Sequence, residues 1–419
     1  MNRMETWNDN VLSWRKGSGK KFRIAVAGDI CPARAGAAEI CAGKTGEILQ
    51  SIQPVLDRAD LRLAQWEVVL TNEDTPILKC GPNLKCDPGC VDFLKKGNFE
   101  VALLANNHTG DYGENGVLST LEVLKKAKIR TVGAGKDAAT ARKVLRMTKN
   151  SFAISIFNFC EYEFGCAWGD HAGANPTDPL DNLQQVRDEK YKADIILVVM
   201  HGGNEYCPVP SPRVKQLCRA FAEAGASAVM NIHTHCPQGI EVVKGVPIVY
   251  CPGNFFFPYP EDKYDPASFW WSGYLPTFEF DRTGACSVEV TPYIMEHTPM
   301  RVTALTGEQR KWFLDYLQKI SREMQENGDH WYDIWCAYRY DYPFMWIHEL
   351  ECDALRKDPE DADALQKLPA PRHMYSCQAH CELARRIMLL LERKEIKKLQ
   401  KEIPALEELR TARFAELKK

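Results

Sequence analysis

From residue 22 to about 257, short continuous apolar runs alternate with segments of helical periodicity. Phe22–Ala27, Leu61–Trp66, Val101–Leu104 and Ile129–Val132 read as buried strands, because runs of this length bounded by Gly, Asn and Asp fit strands covered on both faces. Gly46–Arg58, Val91–Lys96 and Gly116–Lys126 carry apolar residues at three- and four-residue steps and read as helices. Val144–Met147 and Phe152–Phe159 predict an antiparallel pair turning at Lys149-Asn150. The segment 161–182 is rich in Gly, Asp, Pro and Asn and is expected to be a loop beside a site. Leu183–Tyr191 is a helix leading into the strand Asp194–Met200, the helix Pro212–Ala224, and the strands Ala228–Ile232 and Val246–Tyr250. Leu275–Phe280 and Ala285–Val290 pair across the turn Asp281–Gly284. This alternation predicts a layered α/β domain.

After about residue 300 strand signals fade, and 307–327, 343–358 and 374–419 read as helical. Ile396, Leu399, Ile403 and Leu406 form one amphipathic face amid Glu and Lys. The expected organisation is an N-terminal arm over 1–20 with a hinge at Gly17-Ser18-Gly19, an α/β domain over 21–299, and a helical extension over 300–419. The extension's apolar faces would pack on the body or pair two copies into a homo-oligomer. The aromatic run His330–Trp346 reads as packing that fixes the extension to the body, in preference to a ligand platform at a pocket mouth.

Composition adds exclusions. The 419 residues are 45% hydrophobic and 26% charged, ordinary for a globular chain, and the net charge of −3 favours neither nucleic acid nor an anionic membrane. No apolar leader and no run near the ~20 residues of a membrane span is present, so membrane insertion is not expected and a cytoplasmic location is. Sixteen cysteines without a secretory signal read as reduced thiols. Cys80, Cys86 and Cys90 lack Cys-x2-Cys spacing and read as ordinary thiols. Cys377 and Cys381, with His373 and His380, could place ligands on one helical face, though a four-residue step equally serves packing. There is no Gly-x-Ser-x-Gly elbow and no Walker-type phosphate loop.

Chemistry-bearing residues collect where strands end. Asp29 follows the first strand, Glu67 the second, and Asn107 with His108 the third. His201 closes the apolar run from Asp194, and His233 and His235 follow Ala228–Ile232. In open α/β sheets ligands bind at that edge. A carboxylate alone at a strand end equally serves as a helix cap, but five such ends in succession point to a metal site. A mixed set of carboxylate, amide and imidazole suits Mn, Zn or Fe.

The blocks GDICPAR, LAQWEVVLTN, ALLANNHTGDYGENG, VVMHGGNEY, NIHTHCPQGIE and IVYCPGNFFF resemble, in this order, those of the bacterial CapA family. That family comprises capsule-synthesis proteins associated with poly-γ-glutamate and related to calcineurin-like metallophosphatases. The resemblance covers roughly residues 22–290. It implies a four-layer α/β sandwich followed by the C-terminal helical extension. It also implies two divalent metal ions and a hydrolase using a metal-activated water on an anionic phosphoester or γ-glutamyl polymer. By the same resemblance Asp29, with Cys31 and His235, would hold metal one and Glu67 would bridge. Asn107, His201 and His233 would hold metal two. His108 would protonate the leaving group, oriented by Asp111, and Asn106, Glu205 and Asn254 would belong to the substrate pocket. Cys31 departs from the pattern, which has His there, and a thiolate would shift preference toward Zn. The competing expectations are a non-catalytic polymer-binding or assembly subunit that keeps the fold, and an intracellular phosphatase unrelated to any capsule.

Overall fold

On the strand Phe22–Ile30, Ile24 and Val26 face one apolar cluster and Ala25 and Ala27 face another. A strand with two buried faces must lie in an inner layer. The computed structural model describes residues 5–258, 268–347, 355 and 357–411. Among these, two large sheets form the body. The first has nine strands, and its path runs from Gly284–His297 through Ser272–Asp281, Phe22–Ile30, Leu61–Trp66 and Val101–Leu103 to Arg130–Val132. Its last four members are mutually parallel. The second has six strands, ordered Leu145–Lys149, Phe152–Cys160, Ile195–His201, Ala228–Ile232, Val246–Val249 and Ile240–Val243.

The sheets pack face to face. Ile24, Val26 and Leu63 from one share a core with Leu197, Val199 and Met230 from the other, and the Phe22 and Phe152 rings stand 5.3 Å apart. Each such fully buried aliphatic side chain contributes roughly 1.5–3 kcal/mol. Helices cover both outer faces. Phe93 of Asp92–Lys96 packs beyond the first sheet, and Phe221 of Pro212–Ala224 stacks on Phe159 at 5.7 Å beyond the second. The result is the expected four-layer α/β sandwich.

Departures from expectation have local causes. The helix expected over 46–58 breaks into Thr45–Leu49 and Gln53–Leu56, because Pro54 lacks an amide to continue the first ladder. Residues read as an arm supply two short strands, Thr6–Asn8 and Val11–Ser13, which extend the first sheet beside Gly284–His297. Ile240–Val243 is a short strand with no clear alternation, and Met300–Ala304 is a five-residue alternating strand that pairs with Gly284–His297.

In the extension, Gly307–Tyr338 is one helix of 32 residues that absorbs half of the aromatic run. Phe313, Leu317, Ile320 and Met324 are buried at three- and four-residue steps, and Ser321 Oγ accepts the Ile240 amide at 2.9 Å. Ile396–Leu399 and Ile403–Thr411 pack back on this helix, with Leu406 and Leu409 buried. Parts of the expected helices, 348–354, 356 and 412–419, lie outside the described residues. No helix among those described is long and apolar enough to cross a membrane.

Candidate metal centre

The C-terminal ends of the central strands of both sheets open at one place. Asp29 sits where the pairing of Phe22–Ile30 with Leu61–Trp66 shifts register between Ala27 and Asp29, and such a bulge re-aims a side chain. The preceding position must be glycine: a Cβ on Gly28 would meet the Gly253 carbonyl oxygen at 2.0 Å. Glu67 is anchored one residue past its strand, its amide donating to Ile30 O at 2.9 Å. His201 is the last residue of Ile195–His201. His233 and His235 follow Ala228–Ile232 with φ of 105° and 54°. Non-glycine residues in that region carry strain, and such strain concentrates at functional sites.

These side chains converge. His201 Nε2 is 2.9 Å from Asn107 Oδ1, 3.1 Å from His233 Nδ1 and 3.4 Å from Glu67 Oε1. On the other side, Asp29 lies 3.7 Å from His201 Nδ1 and 3.4 Å from His235 Nδ1. Donor atoms of Glu67, His201 and His233 all fall within 4.8 Å of one another, as do those of Asp29, Glu67 and His235, and those of Glu205, His233 and His235. Glu67 is common to the first two groups.

Electrostatics shows what the cluster lacks. Both oxygens of Asp29, both of Glu67 and Nδ1 of His201 are buried without a hydrogen-bond partner. Desolvated anionic groups cost several kcal/mol each unless a cation compensates. Burial, then the adjacent Asp29, raise the Glu67 carboxyl well above its usual range. Burial brings His201 down to about 4 against the pull of Asp29. Burial, then His201 and His235, push His233 well below its ordinary value. Burial also depresses His235, but Asp29 outweighs it and the net direction is up. The depressed His201 and His233 imidazoles, His235 and the orphaned carboxylates at this spacing fit a divalent transition metal.

Beside the cluster, Asp111 Oδ2 pairs with His108 Nδ1 at 2.6 Å and accepts the Leu84 amide at 2.7 Å, while Lys79 Nζ donates to Asp111 Oδ1 at 2.6 Å. Burial, then Lys79, lower His108 against the pull of Asp111. Lys79 also donates to Asn107 O at 3.2 Å. It escapes sequence reading because it stands in a polar, Gly- and Pro-bearing stretch with no period.

Three of the expected site residues stand apart from the grouped donors or the cavity. Cys31 belongs to none of the ligand groups, and burial, then Glu67, raise its thiol well above its usual value. Asn106 is buried away from the cavity: its amide donates to Trp66 O at 2.8 Å, and its oxygen accepts the His108 amide at 3.0 Å. Asn254 is likewise fully buried, with Oδ1 on His235 Nδ1 at 2.8 Å and Nδ2 on Trp270 O at 3.2 Å, so it braces a histidine. Glu205 is exposed and does line the cavity.

That cavity, about 290 Å³, is bounded on the body side by Asn107, His108, Glu205 and His233. The extension closes it with Trp335, Arg339 and Tyr342 from the aromatic run. The run therefore both packs and lines a pocket. Cys80, Cys86 and Cys90 do not form a metal group among the described residues.

The fold and site together define an α/β sandwich protein with buried carboxylates and imidazoles gathered at its strand ends. The chain belongs to the bacterial capsule synthesis protein PGA_cap family, which matches residues 23–259. It is 29% identical over 310 residues to the PGA biosynthesis protein CapA of Bacillus subtilis, covering 72% of this chain and 76% of that one. It is 27% identical over 318 residues to the capsule biosynthesis protein CapA of Bacillus anthracis, covering 73% and 76%. Among solved structures it aligns with a 5'-nucleotidase precursor from Thermus thermophilus at TM-score 0.39 and 14% identity, over 73% of this chain and 60% of that one. A 5'-nucleotidase from Candida albicans aligns at TM-score 0.38 and 12% identity, over 76% and 59%.

Proposed function

We propose that this protein is a metal-dependent hydrolase of its family, acting on a phosphoester or on the γ-glutamyl amide of an anionic polymer. The observation carrying this reading is the pair of buried, unpartnered carboxylates, Asp29 and Glu67, faced by His201, His233 and His235. Asp29, Glu67 and His235 would hold one divalent ion, and Glu67, Asn107, His201 and His233 a second. When bound, the ions would supply Lewis acidity to the scissile group and to the water that cleaves it.

The remaining work falls to the chain's own residues. Asp111 keeps the His108 Nδ1 proton in place and so sets which ring nitrogen is available to the cavity. His108, on the cavity wall, is the group positioned to pass a proton to a leaving oxygen or nitrogen. Lys79 neutralises Asp111 and braces the Asn107 carbonyl. Trp335, Arg339 and Tyr342 wall the cavity opposite, and the Arg339 charge suits an anionic chain. The names of the Bacillus relatives, biosynthesis proteins for PGA and for capsule, support a polyglutamate-related polymer as the substrate to test first.

Purified protein loaded with Mn or Zn should cleave an activated phosphodiester or poly-γ-glutamate, and His235→Ala should abolish cleavage while leaving a folded protein. Equal activity in the variant would remove the assignment. One observation favours the second reading, a polymer-binding or assembly subunit without catalysis: with Cys31 outside the ligand groups, the first ion would rest on few side chains. Tight polymer binding without turnover at full metal loading would select it.

A further inference from the structure

On the extension's side of the same cavity lies a second cluster that shares no residue with the first. Glu163, His373, Cys377 and His380 each place one donor atom within 4.8 Å of the others. Glu163 comes from the loop after Phe152–Cys160, in the body. His373 lies in the helix Pro369–Ser376 and His380 in the helix Gln378–Glu392. Cys377 is the joint between them, extended at φ −75° and ψ 124°. That kink turns a His-x3-Cys-x2-His stretch, which no single straight helix would converge so tightly, toward one point.

The surroundings hold the donors and leave them available. His380 Nδ1 is 2.9 Å from the Tyr342 hydroxyl, which leaves Nε2 as the free nitrogen. The His373 and His380 rings lie 4.1 Å apart. His373 Nε2 is 2.7 Å from Glu163 Oε2, yet this buried nitrogen has no aligned hydrogen bond. Glu161 steadies the joint by accepting the Gly203 amide at 2.9 Å and the Ala379 amide at 2.7 Å, and Cys377 Sγ sits 3.4 Å from it. Nitrogen, oxygen and sulfur donors at bond lengths of about 2.0–2.3 Å around a tetrahedral zinc stand roughly 3.3–3.8 Å apart, so on binding the outer donors, now within 4.8 Å of one another, would draw inward while Glu163 and His373 part from 2.7 Å. The Glu163–His373 ion pair, the Tyr342 hydroxyl on His380 and the Glu161 carboxylate on Cys377 each explain one contact, but none of them explains four donor atoms turned to one point.

We propose that Glu163, His373, Cys377 and His380 form a closed transition-metal site of the zinc class, which fastens the C-terminal helices to the α/β body across the cavity. Four protein donors with no open position make such a site structural. Its effect on the hydrolytic centre would come through Trp335, Arg339 and Tyr342, the wall that the extension contributes.

The test uses the full chain, stripped by chelator and reloaded with Co(II). A thiolate-to-cobalt charge-transfer absorption should appear. It should vanish in Cys377→Ser and weaken or shift in His380→Gln. It should persist in Cys31→Ser and in His235→Ala, which separates this site from the first centre. Elemental analysis of zinc-loaded protein should give one equivalent less in Cys377→Ser than in wild type. Absence of the absorption in cobalt-loaded wild type, its survival in Cys377→Ser, or its loss in Cys31→Ser would overturn the proposal. If Cys377→Ser does not fold, Glu163→Gln serves: an unchanged spectrum and unchanged metal content there would equally overturn it.

Discussion

Asn254 Oδ1 lies 2.8 Å from His235 Nδ1, and both side chains are buried. With Asp29 Oδ2 also facing that nitrogen at 3.4 Å, the proton belongs on Nδ1 and Nε2 is left to bind. Outer partners of this kind typically contribute 10–100-fold to metal affinity. Asn254→Ala should therefore weaken Zn or Mn binding by about that factor while the Asp29 and Glu67 carboxylates stay in place. Competition against a chromogenic chelator would measure it. Unchanged affinity would mean that the Asn254 amide only packs.

Asp111 meets His108, Lys79 and the Leu84 amide but contacts none of the grouped donor atoms. Its loss should therefore separate proton handling from metal retention. Asp111→Asn keeps the shape and removes the charge that fixes the His108 proton. The expected result is a fall in kcat of roughly 10²–10⁴-fold, the range for general acid–base groups, with metal content at wild-type level. Turnover at saturating substrate alongside elemental analysis decides it. Parallel loss of metal would make Asp111 part of the ion's own support.

Much of this arrangement is legible in the sequence. The runs ending at His201 and His233 are continuously apolar, and Pro212–Ala224 is bracketed by the Ser211 cap and Gly225, so these elements and their ends stand out. Strand ends in turn carry the clustered carboxylates and imidazoles, so most of the cluster follows from period. Which of two adjacent asparagines reaches the centre did not: Asn106 and Asn107 differ only in how the turn after Val101–Leu103 points them. Lys79 gains its role only when its loop folds onto Asp111. Glu163 meets His373 and Cys377 through tertiary packing between distant parts of the chain, which no local pattern encodes.

Acid sensitivity should arise far from the centre, at Asp281. Arg15 holds it bidentately at 2.7 and 2.6 Å, and the Ser18 and Thr283 amides add bonds of 2.9 and 2.7 Å. The Arg15 bonds first, then these donors, hold its carboxyl well below the usual range despite burial. A folded-state value far below the unfolded ~3.9 means the stabilisation is complete above that pH, begins to be lost there, and is lost progressively as pH falls on through the folded-state value. Asp281→Asn should cost on the order of 3 kcal/mol at neutral pH, leaving Arg15 poorly paired. Urea midpoints should hold from pH 7 to about pH 4 and then begin to fall in wild type, with a smaller fall below pH 4 in the variant. Parallel curves would place the acid sensitivity elsewhere.

The tightest constraint on the centre is backbone against backbone. The Phe255 and Phe256 amides donate to Asp29 O at 2.9 and 3.1 Å, and the Cys31 amide returns a bond to Phe256 O at 2.8 Å. This closes the loop carrying Asn254 onto the bulged strand carrying Asp29. Gly28 makes the approach possible, since its missing Cβ would stand 2.0 Å from Gly253 O and 3.1 Å from Pro252 Cγ. A carbonyl cannot rotate away as a flexible side chain would, so Gly28→Ala must part strand from loop. Overpacking of this kind costs about 1–3 kcal/mol, and the lost hydrogen bonds add to it. The variant should melt several degrees lower and retain less metal at the first centre, because Asp29 and the Asn254-braced His235 would no longer face each other. Calorimetry and metal analysis of the folded fraction give the answer. A variant with wild-type melting temperature and full metal content would show that the loop can withdraw without disturbing the centre.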